Sequence, residues 1–337
     1  MYTVNTKINN QISVWLLFMF LIISVMIVVG GLTRLTDSGL SITEWQLFSG
    51  LLPPINQNEW INYFNLYKKI PEYQLQNFNM SLDEFKIIFW WEWVHRFLGR
   101  LIGISFLIPL IYFSLKIGIL KLINYYFIFF LICFQGFIGW YMVSSGLSDR
   151  VDVSHFRLSI HLLMAFIILS LILWSYLKMK VDSKTFNKIN YFIPLFFLLL
   201  IFTQIIIGAF VSGMDAGKIY NSWPLMGNSY FPDDNNIINL FKLSAFSDPS
   251  LVQFIHRNLA YVITLFYLFM IYKIFRNKIY ELYKSISILG FFIILQIVLG
   301  IYTVIYGAQI YIAAMHQLSS IFLVSSSIYF FYLNKQN

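Results

Sequence analysis

Cysteine and charged residues are both scarce in this chain. Its 337 residues include one cysteine, Cys133, and only 11% of them are charged. A single thiol excludes an internal disulfide and a cysteine-based zinc or iron–sulfur centre, so any bound metal has to use histidine, carboxylate or methionine ligands. With 59% hydrophobic residues, the composition also excludes a disordered chain and an ordinary soluble globular protein.

Long apolar stretches dominate instead. A hydrocarbon layer about 30 Å thick needs roughly 20 apolar residues of helix. Eight stretches of about that length cover residues 12–33, 87–115, 122–144, 157–177, 191–212, 251–272, 286–306 and 311–333. The first lacks the cleavage site of a signal peptide and is expected to remain as a span. These stretches predict an all-α integral membrane protein with eight transmembrane helices.

The formal charge of +8 is interpreted as a topology signal. With eight spans, both termini and three short loops share one side of the membrane, which carries twelve basic and two acidic residues, Lys184 and Asp182 among them. Basic loops stay in the cytoplasm, so both termini are predicted to be cytoplasmic and no nucleic-acid partner is expected. The long loops 34–86 and 213–250 then lie outside. The lack of an Arg-rich transit peptide favours a bacterial inner membrane over mitochondria.

The two halves of the chain repeat each other. At an offset of 178 the matched pairs are Gly30 and Gly208, Asp37 and Asp215, Gly39 and Gly217, Trp45 and Trp223, Leu47 and Leu225, and Pro54 and Pro232. At an offset of 161 they are His95-Arg96 and His256-Arg257, Gln135 and Gln296, Gly139 and Gly300, and Gly146 and Gly307, while His161 and His316 match at 155. Chance matching of apolar segments does not explain shared Asp, Trp and His. The repeat predicts two four-helix units related by duplication.

Four histidines are predicted to lie a short way inside membrane helices. They are His95, His161, His256 and His316, each about 8 to 12 Å below the outer end of its helix. Ionisable residues inside a span are costly and mark functional sites. Each half therefore offers two histidines at similar depth, which suits a planar cofactor held between two imidazoles. Zinc is the rival, but two histidines without cysteine or paired carboxylates make a poor zinc site.

The halves diverge one helical turn before the first histidine of each pair. Glu92 precedes His95 by three residues and shares its helix face, whereas Gln253 occupies the matching position before His256. One interpretation of Glu92 is an ordinary helix ion pair with Arg96. The other is a carboxylate beside a cofactor in the first half only, where it would serve proton-coupled chemistry.

Other polar residues near the predicted outer surface carry weaker signals. Arg96 and Arg257 directly follow histidines, and Arg34 and Arg100 lie at a similar level. Guanidinium groups suit heme propionates, although snorkelling to lipid phosphate is an equal alternative. The fifth histidine, His155, is expected to be a solvated residue of an outer loop.

Together these motifs resemble the heme A synthases, membrane enzymes that convert heme O to heme A for terminal oxidases. The matching residues are 30–41, Trp45, Pro53-Pro54, Glu92 to Arg96, His161, 208–213, 215–217, 223–227, His256-Arg257 and His316-Gln317. The outer loop 34–86 holds no cysteine, so the chain looks like the cysteine-free branch found in alphaproteobacteria and mitochondria.

The resemblance implies two pseudo-symmetric four-helix bundles, here placed at 1–185 and 186–337. It implies heme b at His256 and His316 in the second bundle, and substrate heme O at His95 and His161 in the first. Glu92 is then an essential acid, and Arg96 and Arg257 are cofactor-binding candidates.

The implied reaction oxidises a ring methyl group of heme O to an alcohol, then to a gem-diol that loses water to leave a formyl group. Besides heme O and the lipid bilayer, the heme O synthase and an electron-transfer protein are candidate partners. The alternative function is a di-heme b-type membrane electron-transfer cytochrome, which does not need a carboxylate in one half only. A transporter is the third alternative. It would place polar residues at the membrane midplane, whereas those of this chain cluster toward the outer face.

Overall fold

The computed structural model describes residues 6–45, 49–148, 150–181 and 188–335. Leu47 of the repeat, Asp182 and Lys184 of the charge count, and the predicted boundary between 185 and 186 lie outside these residues. Within the described ranges the regular elements are helices, and no β-strand occurs. The all-α fold class is therefore confirmed.

Eight long helices account for most of the described chain. In chain order the α-helices are α1 (Thr6–Leu35), α2 (Gln57–Tyr67), α3 (Pro71–Leu75), α4 (Leu82–Ile117), α5 (Ile123–Val143), α6 (His155–Lys180), α7 (Phe192–Gly213), α8 (Pro249–Arg276), α9 (Tyr283–Ile305) and α10 (Ile310–Lys335). All except the short α2 and α3 are long and apolar enough to cross a bilayer. The prediction of eight spans is confirmed, and the chain is a multi-pass membrane protein.

Polar caps start two of these helices earlier than the apolar pattern predicts. Ser81 and Glu84 form a capping box, in which each side chain bonds the backbone N–H of the other residue, so α4 begins before its apolar stretch. Asp248 accepts from the backbone N–H of Leu251 and caps α8 with a single hydrogen bond. Both helices therefore extend beyond the apolar stretch that predicted them.

An aromatic cluster joins the first long loop to the outer end of α4. Its buried members are Leu40, Ile42, Phe64, Tyr67, Ile70, Phe85, Ile88, Phe89 and Val153. The rings of Trp60 and Phe89 meet edge to face with centres 4.9 Å apart. Such pairs add roughly 0.5–1.5 kcal/mol each to the burial of apolar area. The cluster thus fixes α2 and the loop after α1 against the first turns of α4.

The helices belong to two compact units. One unit runs from Leu21 to Ala165, and the other combines the described residues up to Phe20 with those from Phe166 onward. In the first unit α4 packs on α5 and α2, and in the second α7 packs on α8 and α10 while α9 packs on α10. The division into bundles at 1–185 and 186–337 stays a prediction.

Candidate functional site

The first pair of predicted histidines comes together in the structure. His95 on α4 and His161 on α6 have ring centres 6.5 Å apart, with ring planes at 61°. An imidazole nitrogen bonds a transition metal at about 2 Å and lies about 1 Å from its ring centre, so two rings on one metal have centres roughly 6 Å apart. The spacing fits a single metal atom between the two rings.

Each of the four histidines lies against a glycine of a neighbouring helix. An ideal Cβ built on the glycine would lie 2.8 Å from Cε1 of the histidine for Gly30 and His95, 3.0 Å for Gly139 and His161, and 3.1 Å for both Gly208 and His256 and Gly300 and His316. Real Cβ atoms essentially never come closer than 3.0 Å to such a neighbour. The glycines therefore let the rings approach the adjacent backbone, and the repeat preserves this contact at all four positions.

Three of the four histidines also contact a glutamine one turn before that glycine. The amide nitrogen of Gln135 donates to the carbonyl oxygen of His161 at 3.0 Å and lies 3.3 Å from its Nε2. Gln204 does the same for His256, at 3.0 and 3.4 Å. These amides hold the histidine and its helix to the neighbouring helix.

At the last histidine the glutamine contact includes a serine. The amide nitrogen of Gln296 lies 3.3 Å from Nε2 of His316, and the Ser319 hydroxyl donates to Oε1 of Gln296. Ser319 also has a 2.9 Å contact with the carbonyl oxygen of His316. The glutamine is thus fixed in place beside the ring.

The donor set fits a bis-histidine heme better than a zinc ion. Nδ1 of all four paired histidines is buried with no hydrogen-bond partner among the described residues, so protein groups leave part of the bonding capacity of each ring unused. In the same part of the chain no group of three or more His, Cys, Asp or Glu side chains is placed to hold a metal ion. Zinc sites use such groups, whereas a heme iron needs only two axial ligands.

Glu92 is buried just above the first pair and holds several donors. Its Oε2 accepts from the Ser41 hydroxyl at 2.7 Å and from the backbone N–H of Ile42 at 2.8 Å. Its Oε1 accepts from Arg96 at 2.6 Å. The helix ion pair that the sequence allowed is therefore present, and the same carboxylate also anchors the loop after α1.

Arg96 binds two backbone carbonyl groups of that loop. Its guanidinium group donates to Ile42 at 2.8 Å and to Glu44 at 3.2 Å. The propionate-binding role of Arg96 stays a prediction. In this structure the guanidinium group of Arg96 donates to the loop after α1.

The second half reproduces the arginine contacts at matching positions. Arg257 donates to the carbonyl oxygens of Tyr220 at 2.9 Å and Ser222 at 2.9 Å, which correspond to Ile42 and Glu44 at the offset of 178. Gln253, in place of the carboxylate, donates to the carbonyl oxygen of Tyr220 at 3.0 Å. The direction of this hydrogen bond is reversed, because an amide offers N–H where a carboxylate only accepts.

His155 contradicts its prediction as a solvated loop residue. It is the first residue of α6, it is only 6% exposed, and its ring lies 4.2 Å from that of Phe156. The prediction is wrong because α6 begins at His155 rather than after it, and the ring is buried there.

Sequence reasoning missed the buried carboxylate of Glu72. Glu72 lies on α3 and is only 3% exposed. Burial, followed by the negative charges of Glu92, Asp152 and Asp37, raises the pKa of Glu72 to about 8. No local motif announces this, because the tertiary packing of the outer segment buries an otherwise ordinary helix residue. The Gln-x-x-x-Gly spacing at three helices, by contrast, was visible in the sequence but was not connected with the histidines.

The fold and site define a multi-pass membrane protein with two pairs of half-buried histidines on helices of a duplicated chain. Comparison with known families shows that residues 13–328 match the COX15-CtaA family, described as cytochrome oxidase assembly protein. The chain belongs to this family.

Full-length relatives carry a more specific name. The chain is 51% identical to the heme A synthase of Pelagibacter ubique (strain HTCC1062), over 96% of this chain and 97% of the relative. It is 41% identical to that of Rickettsia bellii (strain RML369-C), over 98% and 100%, and 39% identical to that of Flavobacterium johnsoniae, over 96% and 97%. The resemblance to heme A synthases is therefore confirmed.

Proposed function

We propose that this chain makes heme A by oxidising a ring methyl group of heme O to a formyl group. The observation that carries the proposal is the pair His95 and His161, spaced for one metal atom, beneath a buried carboxylate that only the first half has, in a chain whose full-length relatives are heme A synthases. The substrate heme would then lie in the first half, where the carboxylate is.

His95 and His161 are the proposed ligands of the substrate heme iron. Their rings lie against Gly30 on α1 and Gly139 on α5, so the substrate would be oriented by helix packing rather than by a flexible loop. Glu92 is the proposed proton-transfer residue, since its carboxylate lies one turn from His95 and is held in a fixed position by Ser41 and Arg96.

The proposed reaction proceeds by two oxidations at one carbon. The methyl group first becomes an alcohol and then a gem-diol, and loss of water leaves the formyl group. Each oxidation removes two electrons from the carbon and adds one oxygen atom. With water as the source of that oxygen, two protons are released, and an oxidant outside the chain accepts the two electrons. Within the chain, the part assigned to Glu92 is to accept and return protons as the carbon–oxygen bonds form.

His256 and His316 are the proposed ligands of a resident heme b. That group would supply electron transfer, or stabilise the fold of the second half. Gln204 and Gln296 orient the two imidazoles, and Gln253 takes the place of the first half's carboxylate. The second site thus has two histidines, each with a glutamine beside it, without the proton-transfer residue.

The proposed location is a bacterial inner membrane with both termini in the cytoplasm. The bias of basic residues toward the short loops supports this orientation. Both histidine pairs then lie in the outer half of the bilayer. A heme O synthase is a proposed partner because heme O is apolar and is passed most directly within the membrane, and an electron-transfer protein is proposed as the second partner.

The test is an analysis of hemes extracted from a host that makes heme O. The host carries this chain, His95→Ala or no chain, and the hemes are separated by chromatography and identified by mass. Heme A, or its hydroxylated precursor, appearing only with the unmodified chain supports the proposal. Recovery of heme O and heme b alone from an expressed, heme-loaded protein would favour the di-heme electron-transfer cytochrome instead.

A further inference from the structure

We infer that Met26 makes His95 the exchangeable ligand of the first heme site. Among the four paired histidines, His95 is the one whose neighbouring helix carries no glutamine one turn before the contacting glycine. The inference rests on the proposed function, since it assumes that His95 and His161 hold a heme, and it adds which side of that heme opens to a small molecule.

The sequence register places Met26 where the other three helices carry glutamine. Gln135, Gln204 and Gln296 each lie four residues before the glycine that contacts a histidine, and Met26 lies four residues before Gly30. In the structure Met26 is half-buried, and its Cε lies 3.5 Å from the position of a Cβ at Gly99, one turn beyond His95 on α4. Met26 therefore faces the same stretch of α4 as the missing amide would.

The two kinds of side chain hold a histidine differently. Gln135 and Gln204 each donate to the carbonyl oxygen of their histidine, and this bond holds the main chain without using a ring nitrogen that would bind a metal. To leave the iron, such a histidine ring would have to move past the side-chain amide of its fixed glutamine. A thioether has no N–H to donate and adapts its shape readily, so Met26 packs near Gly99 on α4 and cannot donate a hydrogen bond to His95.

Within the described ranges, no hydrogen bond to a neighbouring helix fixes the His95 ring. Its Nδ1 has no partner there, and its contact on α1 is the backbone at Gly30. His161, the opposite ligand of the same site, is held by Gln135. The first site thus pairs one anchored with one unanchored histidine, whereas both histidines of the second site have a glutamine beside them.

Reciprocal substitutions test this asymmetry on the purified full-length chain. Met26→Gln supplies the missing amide, Met26→Leu keeps an apolar side chain as the matched control, and Gln204→Met removes an anchor from the second site. Heme content is measured first by pyridine hemochrome. Binding of carbon monoxide to the dithionite-reduced protein then reports iron with an open or exchangeable position, and low-spin signals in electron paramagnetic resonance report bis-histidine iron.

The expected result is carbon monoxide binding at one heme per chain in the wild type and in Met26→Leu. In Met26→Gln its affinity falls by about fivefold to tenfold, the factor of one hydrogen bond, while the low-spin signal grows. Gln204→Met gains carbon monoxide binding at the second heme. His95→Ala binds carbon monoxide whichever residue is at position 26.

Two outcomes would overturn different claims. If Met26→Gln and Gln204→Met hold both hemes and bind carbon monoxide as the wild type does, the assignment of His95 as the exchangeable ligand is wrong. If the wild type holds no heme that depends on His95 and His161, the proposed function itself fails.

Discussion

Arg96 donates to the carboxylate of Glu92 at 2.6 Å, one turn apart on α4. The side chains are only 11% and 3% exposed, so solvent screens this pair far less than a surface ion pair. Arg96 also donates to the carbonyl oxygen of Ile42, and Glu92 accepts from the N–H of the same residue. The pair therefore holds both backbone polar groups of Ile42. The ion pair and the catalytic interpretation of Glu92 are thus compatible, since the clamp fixes the carboxylate in place.

Replacing this carboxylate by an amide separates chemistry from heme binding. In Glu92→Gln we expect heme A formation to fall by about 10² to 10⁴, the usual contribution of a proton-transfer group, while the heme at His256 and His316 is retained. Some loss of stability is also expected, because an amide cannot accept from Ser41, Ile42 and Arg96 together. Analysis of the extracted hemes measures heme A formation. The heme b spectrum measures whether the heme at His256 and His316 is retained.

The matched control is Glu84→Gln on the same helix. Glu84 is an exposed capping residue of α4, so its loss is expected to leave heme A formation unchanged. Full heme A formation by Glu92→Gln would remove Glu92 from the proposed mechanism.

The glycine contacts predict a position-specific effect of one added methyl group. Gly30→Ala places a Cβ 2.8 Å from Cε1 of His95, so the ring or helix α1 has to shift, and we expect the first site to lose its heme. Gly103→Ala on α4 adds the same group where nothing lies within 4 Å, and alanine is the better helix former by roughly 0.5–1 kcal/mol. Heme content per chain distinguishes the two variants. Normal loading of the first site in Gly30→Ala would show that the contact is not needed.

The helices were largely predictable because the bilayer imposes their length and composition. All eight spans follow from apolar stretches, and the errors occur where polar chemistry takes over, as at the capping box of Ser81 and Glu84. The start of α6 at His155 was missed because a polar residue at a helix end looks like a loop in sequence. Hydropathy therefore locates a span well and its first turn poorly.

The candidate site was predictable only where the duplication exposed it. Repetition singled out four histidines, because chance seldom repeats a histidine inside a membrane helix. They are His95, His161, His256 and His316. The contacts that hold them were not predicted, since a glycine or glutamine in an apolar helix has many structural uses. The burial of Glu72 was not predictable for a further reason. It depends on how α2 and α3 fold over α4, and no periodic sequence pattern encodes that packing.

Glu72 predicts a pH dependence of stability with a definite sign. Its pKa is about 8 in the folded chain, against an ordinary value of 4.5. Below pH 4.5 both states bind the proton, and Glu72 contributes no difference. Between pH 4.5 and about 8 the unfolded chain releases this proton while the folded chain keeps it, so stability is lost as pH rises. The loss is on the order of several kcal/mol, since each pKa unit corresponds to about 1.4 kcal/mol.

Glu72→Gln should remove this loss, because the amide resembles the protonated acid and never ionises. We expect the variant and the wild type to unfold alike near pH 4, and the variant to be increasingly more stable toward pH 8, as measured by thermal unfolding in detergent. Glu84→Gln is a control of opposite sign. Its hydrogen bonds with Ser81 lower the pKa of Glu84, so the stabilisation it provides is present at neutral pH and lost in acid. Parallel stability curves for Glu72→Gln and the wild type across this range would show that Glu72 is ionised in the folded chain, and its burial would then need a cationic partner.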